Sequence, residues 1–156
     1  MPTYIHYGSK HFDKNKFQPI KNIEYFVKPA GGLWASNIAS NYGWRNWCLN
    51  ANFDTNLEDS FCFTISETAN VLTITNVNQL KDLPQIGNKS SMLPFVFLDF
   101  EKILASGIDA IEVLISQDST NEGNIFINNL YRCLNTWDCD SILIMNPDII
   151  KEIEEV

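Results

Sequence analysis

Several residue types and patterns are scarce or missing in this 156-residue chain, and each shortage argues against a class of protein. No two of its four cysteines have the two-to-four-residue spacing typical of a zinc site. No apolar run approaches the roughly 20 residues that a membrane-spanning helix requires. The opening stretch, MPTYIHYGSK, lacks the basic start and the apolar run of a secretory signal peptide. We therefore expect a cytoplasmic protein with reduced thiols, no bound metal and no membrane contact.

Basic residues are also scarce, since 11 lysines and arginines stand against 19 acidic residues and give a net charge of −8. A broad grip on nucleic-acid phosphates needs a basic face, so we expect no such surface. The acidic residues are spread along the chain and are densest only in the final KEIEEV. The length and a hydrophobic content of 45% are ordinary for one globular domain, which we assign to residues 1–156.

The apolar patterning predicts strands and helices in mixed order. Short apolar or alternating runs predict strands at 3–7, 31–36, 60–66, 70–75, 109–116 and 140–148. Helical spacing and capping residues predict helices after 36, at 76–83, 97–107 and 125–137, and after Asn146. Polar connections are expected at 8–30, 87–94 and 117–124, and the long first one is a candidate functional loop. Strands and helices in this order predict an α+β domain with a mostly antiparallel sheet.

Three short stretches occur in an order that resembles a known superfamily. They are IHYGS at 5–9, GGLWASNIAS at 31–40 and SILIMNPDII at 141–150. Together they resemble the ADP-ribosyltransferase-like superfamily, which includes NAD-dependent toxins, poly-ADP-ribose polymerases and small phage and bacterial relatives. The resemblance implies a split, mostly antiparallel sheet with peripheral helices. It also implies NAD as substrate and transfer of ADP-ribose to a macromolecular acceptor, with a protein favoured, in a conflict between phage and bacterium or as a toxin-like effector.

Cleavage of NAD releases nicotinamide and leaves positive charge on the ribose, as in glycoside hydrolysis. By resemblance, His6 would hold a ribose hydroxyl, the backbone of Gly8 would hold the nicotinamide amide, and Trp34 would stack on the pyridine ring. Trp34 stands where the superfamily usually has tyrosine. The same stretches supply further candidate NAD-binding residues, namely Tyr7, Ser9, Gly32, Leu33 and Ser36, and Tyr42, just after the second stretch, could wall the pocket.

A carboxylate near the developing positive charge completes such a site. Glu112 is the first candidate, because a charged group between Ile111 and Val113 is expensive to bury unless it faces a cleft or a partner. By resemblance, the glutamate of polymerase-like members corresponds to Ser141, so Asp140 immediately upstream is the second candidate, and Asp138 is also open. His6 joins Glu112 and Asp140 as a candidate catalytic residue.

Each of these residues also has a purely structural interpretation. His6 could be a strand histidine bonded to backbone, Trp34 a core residue, and Glu112 a member of the solvent face of an alternating strand. A catalytically inactive relative that binds and inhibits another protein is therefore the alternative function. A small-nucleotide-binding protein on the same scaffold is a third hypothesis.

Overall fold

Nine strands and two α-helices make up the regular structure of residues 1–87, 97–117 and 137–152, which a computed structural model of the chain describes. The helices are α1 (Trp44–Ala51) and α2 (Phe100–Ala105). The strands are β1 (Tyr4–Tyr7), β2 (Leu33–Asn37), β3 (Ser60–Ile65), β4 (Val71–Ile74), β5 (Gln85–Ile86), β6 (Phe97–Leu98), β7 (Ala110–Val113), β8 (Ser141–Ile144) and β9 (Ile150–Glu152). Short 3-10 turns occupy Lys14–Lys16, Val77–Leu80, Ile115–Gln117 and Pro147–Ile149. No helix in these ranges is long and apolar enough to cross a bilayer.

Seven of the strands form one curled sheet in the order β4-β7-β8-β2-β1-β3-β9. All neighbours in it are antiparallel except β4 and β7, which run parallel. β5 and β6 form a separate two-stranded ladder. The predicted α+β class and mostly antiparallel sheet are confirmed.

The register of the central strands separates the side chains into two faces. Trp34 lies opposite Leu143, which lies opposite Ile111, and all three belong to one apolar cluster. One residue along, Ala35 and Ile142 are paired and pack in a second cluster. Because successive side chains of a strand point to opposite faces, the sheet has a core on each side. Each fully buried aliphatic side chain contributes roughly 1.5–3 kcal/mol.

The helix predicted after Asn146 is wrong. The Asn146 side chain accepts a hydrogen bond from the Asp148 N–H, as expected of a cap, but only the turn Pro147–Ile149 follows. The chain then enters β9 and pairs with β3, with Ile150 opposite Ile65. The capping signal was correct, but the residues after the turn pair with the edge of β3 and do not continue as a helix.

The predicted helix over 97–107 begins later than expected. Phe97 and Leu98 form strand β6, and α2 starts after Asp99, whose carboxylate accepts the Lys102 N–H at 3.0 Å. The predicted helix at 76–83 is the 3-10 turn Val77–Leu80, with Asn76 as its cap.

The helix predicted after residue 36 begins only at Trp44, with Gly43 rather than Ser36 or Ser40 at its N-cap position. The predicted helix at 125–137, apart from Trp137, and most of the loops at 87–94 and 117–124 lie outside the described residues.

Candidate functional site

A cavity of about 300 Å³ lies where β1 and β2 diverge. Backbone pairing of the two strands covers only Tyr4 with Asn37 and Ile5 with Ser36. Beyond these pairs the space is closed by the loop that precedes β2 and by the segment that leads into β8. The residues lining it are Ile5, His6, Tyr7, Lys28, Trp34, Ala35, Ser36, Trp44, Thr55, Trp137, Asp138, Cys139 and Ser141.

His6 joins the two strands at the point where their pairing ends. Its Nδ1 lies 2.7 Å from the backbone oxygen of Trp34. A carbonyl oxygen can only accept, so Nδ1 carries the proton. Burial lowers the pKa of His6, which favours the neutral imidazole near pH 7. In that tautomer Nε2 keeps a lone pair, and His6 can accept a hydrogen bond from a hydroxyl group of a ligand.

His6 and Trp34 reach this cavity from opposite faces of the sheet. His6 is paired with Phe61, and their rings lie 5.2 Å apart on the side of the second apolar cluster. Trp34 packs against the first cluster. Both residues nevertheless belong to the lining of one cavity, at the point where the pairing of β1 and β2 ends.

The Trp34 indole is in contact with a cation and with a second indole. The Lys28 Nζ lies 5.0 Å from the centre of the Trp34 ring, within the range of a cation–π interaction. Trp137 meets the same ring at 4.6 Å with an interplanar angle of 73°. Burial lowers the pKa of Lys28, and the nearby charge of Asp138 opposes this shift. The Trp34 face therefore already accommodates a positive charge.

A glycine pair fixes the loop that carries Lys28 to the cavity. Gly31 has φ +75°, and a Cβ at this position would stand 2.1 Å from the Pro19 carbonyl oxygen. The Gly32 N–H donates to the Gln18 carbonyl at 2.8 Å. A Cβ on Gly32 would lie 2.6 Å from Leu143. These glycines are needed for close packing, and Gly32 does not line the cavity.

Of the three candidate acids, only Asp138 lines the cavity, where its side chain is exposed. Asp140 is buried and accepts hydrogen bonds from the Ser40 hydroxyl at 2.9 Å and from the Ser116 N–H at 2.9 Å. The Ser116 hydroxyl donates to it as well. These bonds hold the Ser40 and Ser116 loops together and give Asp140 a structural role.

Glu112 lies at a second, more open depression, together with Tyr42 and Asp140. The Tyr4 hydroxyl donates to its carboxylate at 3.2 Å, and the Thr73 hydroxyl lies at 3.5 Å. Burial raises the pKa of Glu112, and these hydrogen bonds oppose that shift. Glu112 thus faces a cleft, as the sequence suggested, but it is not the cleft that His6 and Trp34 share.

The predicted NAD-binding residues divide into two groups. His6, Tyr7, Trp34 and Ser36 line the cavity, whereas Gly8, Ser9, Gly32, Leu33 and Tyr42 do not. The Gly8 N–H donates to the Asp59 carbonyl at 2.8 Å, and the Ser9 hydroxyl lies 3.4 Å from the His11 carbonyl. Leu33 packs beside the second apolar cluster.

Ser36 is buried in the cavity wall and connects three elements. Its hydroxyl donates to the Asp140 carbonyl at 3.0 Å and accepts the N–H of Trp44, the first residue of α1, at 2.9 Å. Ser36 therefore satisfies a free N–H at the start of the helix from a distant strand. Its hydroxyl already has two partners, which indicates a positioning role.

Sequence reasoning missed Lys28, Trp137 and Cys139. Only the length of the 8–30 connection hinted at Lys28. Trp137 ended a predicted helix, and nothing in that pattern pointed to a cavity. Burial and the charge of Asp138 raise the pKa of Cys139 to about 12, so its thiol is a poor nucleophile.

No group of three or more metal-ligating side chains occurs among residues 1–87, 97–117 and 137–152. A comparison of the chain with protein-family models, characterised proteins and solved structures finds no match.

Proposed function

We propose that the chain is an ADP-ribosyltransferase-like protein that binds NAD in the cavity between β1 and β2 and transfers ADP-ribose to a macromolecular acceptor. The observation that carries this proposal is the meeting of His6 and Trp34 at one cavity, although 27 residues separate them in the sequence. The proposal also rests on the resemblance of IHYGS and GGLWAS to the superfamily's first two motifs. The acceptor would be a protein, because a net charge of −8 disfavours binding to the phosphates of a nucleic acid.

The Trp34 face suits the nicotinamide ring of NAD. Oxidised nicotinamide is a planar cation, and an indole face attracts both planar rings and cations. Lys28 lies over that ring, so nicotinamide would displace its ammonium group. One cation then replaces another on the same ring.

His6 suits the ribose attached to that ring. Its Nδ1 is committed to the Trp34 carbonyl, so its Nε2 would accept a ribose hydroxyl. A volume of about 300 Å³ is at the lower end of small-molecule sites, which span roughly 300–1,000 Å³. It would hold nicotinamide and its ribose, with the pyrophosphate and adenosine outside.

Asp138 is the acid that this geometry favours over Glu112 and Asp140. As the bond between ribose C1′ and the pyridine nitrogen breaks, its electron pair goes to nitrogen and positive charge develops at C1′. A carboxylate at the cavity would stabilise that charge. A nucleophilic atom of the acceptor then bonds to C1′ and loses its proton.

The test is release of nicotinamide from NAD, measured together with the NAD-induced shift in melting temperature. We expect Asp138→Asn to reduce release at least tenfold while the melting shift remains. Glu112→Gln and Asp140→Asn serve as matched controls, and we expect each to keep its release per folded molecule. Loss of release in Glu112→Gln alone would assign the acid to Glu112, and loss in Asp140→Asn alone would assign it to Asp140. No response of the wild type to NAD in either assay would refute the proposed function.

A catalytically inactive relative that binds another protein is the second candidate. It is favoured by the solvent exposure of Asp138 and by an aromatic cluster on and after α1. Trp44 and Trp47 stack at 5.2 Å, and Phe53, 49% exposed, contacts both rings. A melting shift with NAD but no nicotinamide release from wild type, with or without cell extract as a source of acceptor, would favour this candidate.

A further inference from the structure

Trp137 has a buried indole nitrogen that makes no hydrogen bond with the described residues. The residue is 3% exposed, and its Nε1 is the one buried side-chain polar atom among these residues without a hydrogen-bond partner. A buried indole N–H usually finds an acceptor, because leaving it unpaired costs free energy.

The same residue is part of the cavity wall, and a small shift of its indole would bring the buried Nε1 to an acceptor on a bound molecule. Trp137 also contacts Trp34, the residue on which the nicotinamide ring would stack, at a centroid distance of 4.6 Å. A substituent of a ring stacked on Trp34 would therefore lie near Trp137.

We propose that Trp137 donates its indole N–H to the carboxamide oxygen of bound nicotinamide, and so selects pyridine rings that carry an acceptor at this position. The inference rests on the proposed NAD site and adds a specificity-determining residue to it. The carboxamide is the part of NAD assigned to Trp137 because the ribose is assigned to His6 on β1, whereas Trp137 contacts the ring on which nicotinamide would stack.

The test uses Trp137→Phe, which keeps an aromatic ring and removes the N–H. Affinity for NAD and for thionicotinamide adenine dinucleotide, whose sulfur is a weaker acceptor, is measured by calorimetry for variant and wild type. We expect about tenfold weaker NAD binding in Trp137→Phe, and at most a twofold change for the thio analogue. The melting temperature of the variant should change by only a few degrees, because removal of an unpaired donor offsets part of the packing that is lost with the larger ring.

Trp47→Phe is the matched control, because Trp47 lies on α1 and does not line the cavity. We expect it to leave both affinities unchanged. If Trp137→Phe folds poorly, benzothienylalanine at position 137 keeps the shape of the indole with sulfur in place of N–H, and the same affinities are compared.

Three results would overturn the inference, and they are distinguishable. Equal NAD affinity of wild type and Trp137→Phe leaves the NAD site standing and removes the hydrogen bond. A matching loss of affinity for both dinucleotides assigns Trp137 to packing alone. Failure of the wild type to bind NAD removes the proposed function and this inference together.

Discussion

The loop that carries Lys28 into the cavity should depend on the absence of a side chain at Gly31. A Cβ in Gly31→Ala would lie 2.1 Å from the Pro19 oxygen, whereas ordinary carbon–oxygen contacts lie at about 3.3 Å or more. The obstacle is backbone, so it cannot rotate away. The loop would have to move by about 1 Å, which would break the bond from the Gly32 N–H to the Gln18 carbonyl.

Gly107→Ala is the control that separates backbone strain from this clash. Gly107 also has a positive φ, +94°, but a Cβ there would meet nothing within 4 Å. Left-handed backbone costs a non-glycine residue about 1–2 kcal/mol, and the reduced entropy of the unfolded chain offsets about 0.4–1 kcal/mol. We therefore expect Gly107→Ala to lose about 1 kcal/mol of unfolding free energy.

Gly31→Ala adds the clash and the loss of the hydrogen bond from the Gly32 N–H, which is worth about 0.5–1.5 kcal/mol, so we expect a loss of about 3 kcal/mol of unfolding free energy. For a domain of this size these losses correspond to melting temperatures lower by about 2–4 °C for Gly107→Ala and about 6–12 °C for Gly31→Ala. Thermal unfolding followed by circular dichroism measures both. Equal shifts in the two variants would refute the reasoning, because they would mean that the contact between Gly31 and Pro19 does not constrain the loop.

Three further predictions concern single side chains. Lys28→Met should bind NAD about fivefold more tightly in calorimetry, because a cation–π contact worth about 1 kcal/mol no longer has to be displaced; weaker binding would instead indicate that Lys28 contacts a ligand phosphate. His6 has a lowered pKa when folded, so the unfolded chain binds its proton first; wild-type stability should fall as pH drops below about 6.5, and denaturant titrations of His6→Gln should show a shallower fall. Asp140→Asn should lose about 1–3 kcal/mol of unfolding free energy in the same titrations, since a carboxylate that accepts several hydrogen bonds is replaced by an amide that must also donate; unchanged stability would contradict its structural role.

Local patterns were sufficient to predict most of the strands and the caps. The alternation in SFCFTIS predicted β3, and Asn76 and Asn146 cap turns as expected. A cap, however, does not determine how many residues follow in helical conformation. After Asn146 the outcome depended on the exposed edge of β3, which lies some 80 residues earlier in the sequence and cannot be inferred from local spacing.

The candidate acid is the part of the proposed site that sequence patterns alone do not position. Glu112 is a charged residue within an apolar strand, which suggested that it faces a cleft, and it does line a depression. Its position relative to His6 depends on the strand order β7-β8-β2-β1, which puts two strands between them. At about 4.8 Å per strand, that order separates their backbones by roughly 14 Å. Asp138 lines the cavity because it lies three residues before β8, which pairs with β2. That pairing is non-local, and composition does not reveal it.

The early end of the pairing between β1 and β2 means that the site is walled by sheet rather than by loops alone. β1 is held along its other edge by four residue pairs with β3, and β2 by three with β8. Main-chain groups that face the gap are thus kept in position by neighbours on the far side. A ligand would meet hydrogen-bonding groups that folding has already ordered. Their loss of conformational entropy would therefore not count against the free energy of binding.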